Sequence, residues 1–400
     1  MAKPSGPACN LACEYCFYLE KEALFAGKQS RRMTPDVLEA YIRNTIASSP
    51  PEGPIVFTWQ GGEPALLGLD FYKQAVELQS EYGAGQAIQN TFQTNGTLID
   101  ENWAAFFAEN KFLVGLSLDG PAQIHDRARR YRSGAPSHHL VMTAMEHLQR
   151  AGVAFNILAC VDRHSSQHPL EIYRFFKQHG VEFVQFIPIV ERLAGPAYAA
   201  AGFTLEGPDE KEEAMMAPFA VEPLAWGRFL TDIFEEWRRH DVGTVYVMNF
   251  EWSLAAYMGE PGVVCVHQEN CGRAVIAEHN GDVYSCDHFV YPEYKLGNLT
   301  HDSLAAMIDT ERQQAFGRAK SETLPAQCRA CKYLGGCWGG CPKHRFTKTA
   351  DGEPGLNYLC EGYTHYLHHV APFMKLIAQL IRQGRAPAEI MQMNILVAGR

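Results

Sequence analysis

From residue 30 to about 190, the apolar positions switch back and forth between two periods. Val37, Leu38, Tyr41 and Ile42 recur at helical spacing behind Thr34-Pro35-Asp36, an N-cap followed by a proline at the first helical position. Ile55–Trp59 is a short run of apolar and β-branched residues and reads as a strand. Helical patterns are expected at about 69–82, 100–110, 139–151 and 169–179, with strands at 88–94, 113–118, 153–161 and 181–187. Strands separated by helices form βα units and therefore a parallel sheet. Five clear strands and a stub before Cys9 suit a partial barrel or an open doubly wound sheet, and the pattern does not choose between them.

Farther along, residues 191–222 are rich in Ala, Gly, Pro, Met and Glu and read as an irregular connection. A helix is expected at 223–240, with Trp226, Phe229, Ile233 and Trp237 on one face. From Cys265 onward the elements shorten. Apolar runs at 274–278 and 283–286 flank His279-Asn280-Gly281-Asp282, a hairpin signal because Gly accepts the left-handed backbone of a tight turn. A long amphipathic helix closes the pattern at about 361–382. The texture divides the chain into residues 1–240, a cysteine-rich part at 241–375, and a tail at 376–400.

Composition narrows the classes. At 400 residues the chain is long enough for two or three domains, and 11% aromatic residues argue for packed cores rather than disorder. Lys+Arg 35 against Asp+Glu 45 gives a net charge of −10, which counts against a partner that is nucleic acid or an anionic membrane. No run of about 18 uncharged apolar residues is present to span a membrane. No basic-then-apolar leader opens the chain, so a cytoplasmic location is expected. In that reducing compartment the 12 clustered cysteines point to metal rather than to disulfides.

Cys9-Asn10-Leu11-Ala12-Cys13-Glu14-Tyr15-Cys16 places three thiols within eight residues. Three cysteines leave one iron of a four-iron cluster without a protein ligand, which is what a cluster that binds something else requires. Zinc with a distant fourth ligand satisfies the same spacing. A second group comprises Cys265, Cys271, Cys286, Cys328, Cys331, Cys337, Cys341 and Cys360, enough for two fully ligated four-cysteine sites of either metal. Cys160 remains and reads as a buried small hydrophobe.

C-x3-C-x2-C with an aromatic residue before the last cysteine resembles the signature of radical S-adenosylmethionine (SAM) enzymes, with Tyr15 in the aromatic position near the adenine. Further segments carry the resemblance. Gln60-Gly61-Gly62-Glu63-Pro64 is similar to the stretch whose backbone binds the SAM amino group, and Gln93-Thr94-Asn95-Gly96 ends the next strand. Ser117, in Ser117-Leu118-Asp119-Gly120, matches a contact to the ribose or carboxylate. Arg129 matches an arginine near the methionine carboxylate, and Val190, after Phe186-Ile187-Pro188-Ile189, an apolar contact to adenine. Except for Arg129, these segments sit at the C-terminal ends of expected strands, where parallel sheets build their sites.

The later cysteines resemble the SPASM extension with its two auxiliary four-iron clusters. By that resemblance Cys265, Cys271, Cys286 and Cys341 hold the nearer one, and Cys328, Cys331, Cys337 and Cys360 the farther. The implied fold is a partial (β/α)6 radical SAM barrel followed by a small SPASM domain with a β-hairpin and a C-terminal helix. The opening Met1-Ala2-Lys3-Pro4-Ser5-Gly6-Pro7, the stretch Tyr18-Leu19-Glu20-Lys21, and Asp287 after Cys286 are similar to the anaerobic sulfatase-maturating enzymes.

That family uses SAM and three 4Fe-4S clusters to oxidise a Cys or Ser of a sulfatase polypeptide to Cα-formylglycine. A flavodoxin or ferredoxin donates the electron, and Asp287 stands where the base belongs. Two other readings are a SPASM maturase that crosslinks another peptide and a non-catalytic zinc scaffold. Only eight residues precede Cys9, where the family has a fuller first strand. That points to a trimmed start, and it also leaves no room for the leader-binding domain of the crosslinking enzymes.

Overall fold

The computed structural model describes residues 1–25, 32–209 and 214–393; residues 210–213 of the expected connection and 394–400 of the expected tail lie outside the described residues. Its main sheet has ten strands in the order β10-β9-β8-β1-β2-β3-β4-β5-β6-β7. The strands are β1 (Ala2–Lys3), β2 (Ile55–Trp59), β3 (Ile88–Thr94), β4 (Leu113–Ser117), β5 (Phe155–Val161), β6 (Phe183–Pro188), β7 (Tyr246–Val247), β8 (Ile276–Glu278), β9 (Asp282–Tyr284) and β10 (Lys295–Asn298). Every neighbouring pair from β8 through β1 to β7 is parallel, while β8, β9 and β10 form an antiparallel meander. The expected alternation is therefore present, and the stub before Cys9 is β1.

Helices return the chain between the parallel strands: α1 (Pro35–Ser48), α2 (Leu69–Tyr82), α3 (Glu101–Glu109), α4 (Ala122–Ala128), α5 (His138–Arg150) and α6 (Pro169–Gln178). Their starts follow local chemistry. The Thr34 hydroxyl accepts from the Val37 amide at 3.4 Å, and the Asp100 carboxylate from the Trp103 amide at 3.0 Å. Helix α4 was not expected, since seven residues are too few to show a period.

One face of each strand packs on these helices and the alternate residues do not. Ile55, Phe57 and Trp59 are fully buried, among rings of Tyr41, Tyr72 and Phe92, whereas Val56 is 48% exposed. The second face thus lines a half-open hollow carrying Gln93, Ser117, Cys160 and Ile187. Cys160 is accordingly no packed hydrophobe: it is half-buried and accepts a hydrogen bond from the Arg129 guanidinium at 3.4 Å.

The sheet does not break at residue 240, because β1 pairs with β2 on one side and with β8 on the other. The expected 191–222 connection folds back on itself, with bridges Arg192↔Met216 and Leu193↔Leu205 and a short helix at Pro196–Ala200. Helix Pro223–His240 packs along the closing helix Cys360–Arg382, and the two backbones meet at Gly227 and Gly362. That closing helix runs past residue 376, so the expected tail begins inside it. Among the described residues no helix is long and apolar enough to cross a membrane.

Candidate active site

The segment leading into Cys9 is laced to the loop after β2. Gly62 N donates to Gly6 O at 2.8 Å and Glu63 N to Ala8 O at 2.9 Å. Glycine is required here: a Cβ on Gly62 would lie 2.1 Å from the Ala8 carbonyl oxygen. The Glu63 carboxylate then collects Asn95 N at 2.7 Å, Thr94 Oγ1 at 2.8 Å and Ala65 N at 2.9 Å, tying the end of β2 to the end of β3. Burial pushes the Glu63 carboxyl up to about 7 against the pull of those donors. Asn95 in turn donates to Asn10 Oδ1 at 2.9 Å and to Cys9 Sγ at 3.7 Å.

On the other flank, Ala12 N and Glu14 N donate to the Arg130 and Ala128 carbonyls at 2.7 and 3.0 Å. Arg129 grips Asp119 with Nε at 2.9 Å and Nη2 at 3.2 Å, and the Tyr15 hydroxyl donates to the same carboxylate. Burial alone would raise the Asp119 pKa, but the Arg129 guanidinium outweighs it and holds the carboxyl below its usual range. Ser117 Oγ accepts from Gln93 Nε2 at 3.1 Å, and Val190 is buried just past β6. The structure therefore ties Gly61, Gly62, Glu63 and Asn95 to the Cys9 end of the cysteine loop and brings Arg129, with Tyr15, beside Cys13, while Ser117 ends β4 and Val190 lies just past β6. Sequence reasoning assigns Asp119 no role, although it stands ten residues before Arg129 in the same strand-end segment as Ser117.

The later thiols form two groups of four. Cys328, Cys331, Cys337 and Cys360 line one cavity of about 60 Å³. Cys286 and Cys341 lie close enough to Cys265 for its charge to raise both of their pKa values, and Cys271 also acts on Cys341. Burial pushes Cys9 up to about 12 and Cys337 and Cys341 up to about 11, so any metal binding to these thiols would release protons. All eleven donors are soft thiols, which suits iron–sulfur clusters.

Asp287 opens the turn after β9 with 23% of its side chain exposed. Behind it lies Lys3 Nζ, 2.5 Å from Asp287 Oδ1 and 3.5 Å from the centre of the Tyr18 ring, on a side chain only 1% exposed. Tyr18 donates to Glu278, the register partner of Lys3. Burial would raise the Asp287 pKa, but the Lys3 ammonium beside it holds it below the ordinary carboxylate value. Lys3 lies in the opening segment that carries the family resemblance, but its pairing with Glu278 and Asp287 is not legible there, because both lie more than 270 residues away.

A second buried pair, Lys343 Nζ–Glu191 Oε1 at 2.5 Å, joins the end of β6 to the last cysteine cluster, with Lys343 4.7 Å above the Phe17 ring. Lys21 stands 3.3 Å over Tyr291, and burial pulls it down to about 7. Glu20, Glu191 and Asp287 pull the other way without offsetting that burial. His365, His368 and His369 pack on the surface, with His369 bonded to Glu235 and His368 to Tyr333.

The Radical SAM superfamily profile matches residues 4–187, and the SPASM iron–sulfur cluster-binding domain profile matches residues 265–332. Over 98% of its length the chain is 46% identical to a serine-type anaerobic sulfatase-maturating enzyme from Bacteroides thetaiotaomicron, covering 94% of that protein. It is 32% identical to a cysteine-type enzyme from Clostridium perfringens, with 96% of this chain and 98% of that protein covered. A solved structure of native anSMEcpe with bound AdoMet and a Kp18Cys peptide superposes with a TM-score of 0.82 at 31% identity, covering 94% of this chain and 98% of that one. Streptococcus suis SuiB bound to S-adenosylmethionine, at 16% identity, TM-score 0.59, 90% of this chain and 76% of that one, shares the fold.

Proposed function

Since the chain belongs to the anaerobic sulfatase-maturating enzymes of the radical SAM superfamily, we propose that it oxidises a Cys or Ser residue of a sulfatase polypeptide to Cα-formylglycine. In this reading Cys9, Cys13 and Cys16 hold the cluster that binds SAM. Cys265, Cys271, Cys286 and Cys341 hold one auxiliary 4Fe-4S cluster, and Cys328, Cys331, Cys337 and Cys360 a third. When bound, these groups would supply hydrogen-atom abstraction at the substrate β-carbon and an acceptor for the remaining electron.

The chain's own residues do the rest. The Gly61-Gly62-Glu63 loop and Asn95 fix the cysteine loop. Tyr15, Ser117, Arg129 and Val190 line the SAM side of the hollow. Asp287 takes the proton from the substrate hydroxyl or thiol, so that loss of a hydrogen atom, a proton and an electron leaves the aldehyde from Ser, or a thioaldehyde that water hydrolyses from Cys. A flavodoxin or ferredoxin delivers the reducing electron.

The observation that carries the reading is the Lys3–Asp287 pair. It keeps the proposed base ionised, and it joins the strand that leads into Cys9 to the turn beside Cys286. The test is an anaerobic incubation of reconstituted protein with SAM, a strong reductant and a short sulfatase-like peptide carrying Ser or Cys. Deoxyadenosine together with a peptide aldehyde is expected. Deoxyadenosine with both peptides unchanged would refute the substrate assignment.

A further inference from the structure

His288 is a buried imidazole that none of the steps above uses. It follows Asp287 in the turn after β9, and its Nδ1 lies 3.5 Å from Cys341 Sγ, within hydrogen-bond range for sulfur. Its ring stands edge-on to Phe17, with centroids 4.9 Å apart and planes at 89°. Phe17 is the residue after Cys16. The imidazole therefore occupies the space between the loop that carries the first cysteine motif and a ligand of the nearer four-thiol group. The His344 ring centroid lies 6.1 Å from that of His288, and the Lys343 backbone amide is a second donor to Cys341.

A metal-bound thiolate has lone pairs to offer and no proton, so the nitrogen facing it must be the donor. That fixes the ring as the Nδ1–H tautomer. A hydrogen bond to a cluster sulfur draws electron density from it and stabilises the reduced state. We propose that His288 donates from Nδ1 to Cys341 Sγ and thereby sets the potential at which the nearer auxiliary cluster accepts an electron. The inference rests on assigning Cys265, Cys271, Cys286 and Cys341 to one cluster. It makes His288 a positioning residue that acts through a ligand, not a group that touches substrate.

The experiment uses the full chain with Cys9, Cys13 and Cys16 replaced by Ala, so that only auxiliary signals remain, and follows reduction by EPR during a potentiometric titration. His288→Leu removes the donor and is expected to move one of the two auxiliary couples to lower potential. His288→Asn, whose side-chain amide reaches roughly the position of Nδ1, is expected to restore it. Two unchanged couples in His288→Leu would overturn the proposal, and so would equal shifts in His288→Leu and His288→Asn.

Should His288→Leu fail to hold its iron, the same background labelled with 15N-histidine decides. A nitrogen coupling in the reduced auxiliary signal that vanishes in His288→Asn supports the hydrogen bond, and its absence overturns it. Cys341→Ala separates the two levels of the argument. Loss of one auxiliary cluster, or a changed EPR signal from it, upholds the ligand assignment, while two auxiliary signals identical to those of the parent refute that assignment and the proposal with it.

Discussion

Gly62→Ala is the smallest change that tests how the cysteine loop is held. The added methyl carbon would sit 2.1 Å from Ala8 O, 2.5 Å from Ala8 C and 2.7 Å from Pro7 O, all backbone atoms that cannot rotate away. To reach an ordinary contact of 3.4 Å, the Ala8 carbonyl must retreat by about 1.3 Å. That motion strains the 2.9 Å bond from Glu63 N to Ala8 O and drags Cys9, the next residue, with it.

The cost to the fold is that of local overpacking, about 1–3 kcal/mol, which the buried sheet tolerates. The cost to function is larger, because a ligand constellation must hold its geometry to about 0.5 Å. A displacement of about 1 Å at a reacting centre costs on the order of 10²-fold in rate. The expected result is a folded protein that keeps both auxiliary clusters, holds the third less completely, and forms deoxyadenosine about 10²-fold more slowly. Iron and sulfide analysis, EPR of the reduced protein and chromatography of deoxyadenosine read these separately. Full iron with undiminished SAM cleavage would show that the approach of residues 60–63 to residues 5–8 does not position the cluster.

Three more variants probe other parts of the argument. Asp287→Ala should keep its clusters and still cleave SAM, yet yield little aldehyde per deoxyadenosine; a normal yield by peptide mass spectrometry would remove Asp287 from the role of base. Lys3→Met leaves Asp287 without its 2.5 Å partner. Because the Asp287 side chain is 23% exposed, the loss in denaturant unfolding should be at most about 3 kcal/mol, the low end for a broken buried pair, with aldehyde again uncoupled from deoxyadenosine. An unchanged ratio would contradict this. Gly227→Ala sets a methyl 2.5 Å from Gly362 O, so the two long helices must part; a fall of about 1–3 kcal/mol in stability is expected, and an unchanged Tm would mean that the crossing adjusts freely.

Much of the sheet was legible because strand and helix periods are local. Ile55–Trp59 and Ile88–Thr94 were read to the residue, and the helix at 223–240 likewise. The expected 153–161 strand begins two residues later, at Phe155, since its first residues belong to the turn. Helices Met248–Met258 and Glu311–Glu322 were missed. The first is apolar on nearly every side and the second polar on nearly every side, so neither displays a stripe.

The sequence by itself determined the chemistry that this chain carries. Cysteines at short fixed spacings, glycines at strand ends and an Asp beside a Cys need no tertiary context to be read, because ligand type and spacing are local properties. Only the tertiary structure decided how that chemistry is organised. Through β1 it joined the parallel strands to the cysteine-rich meander in one sheet. It gave Asp119 to Arg129, Lys3 to Asp287 and Lys343 to Glu191, and it set His288 against Cys341. Those partners are separated by ten to more than 280 residues. An ion pair or a hydrogen bond depends on distance in space, and strand order, which is set by the burial of whole faces, is what turns such separations into contact.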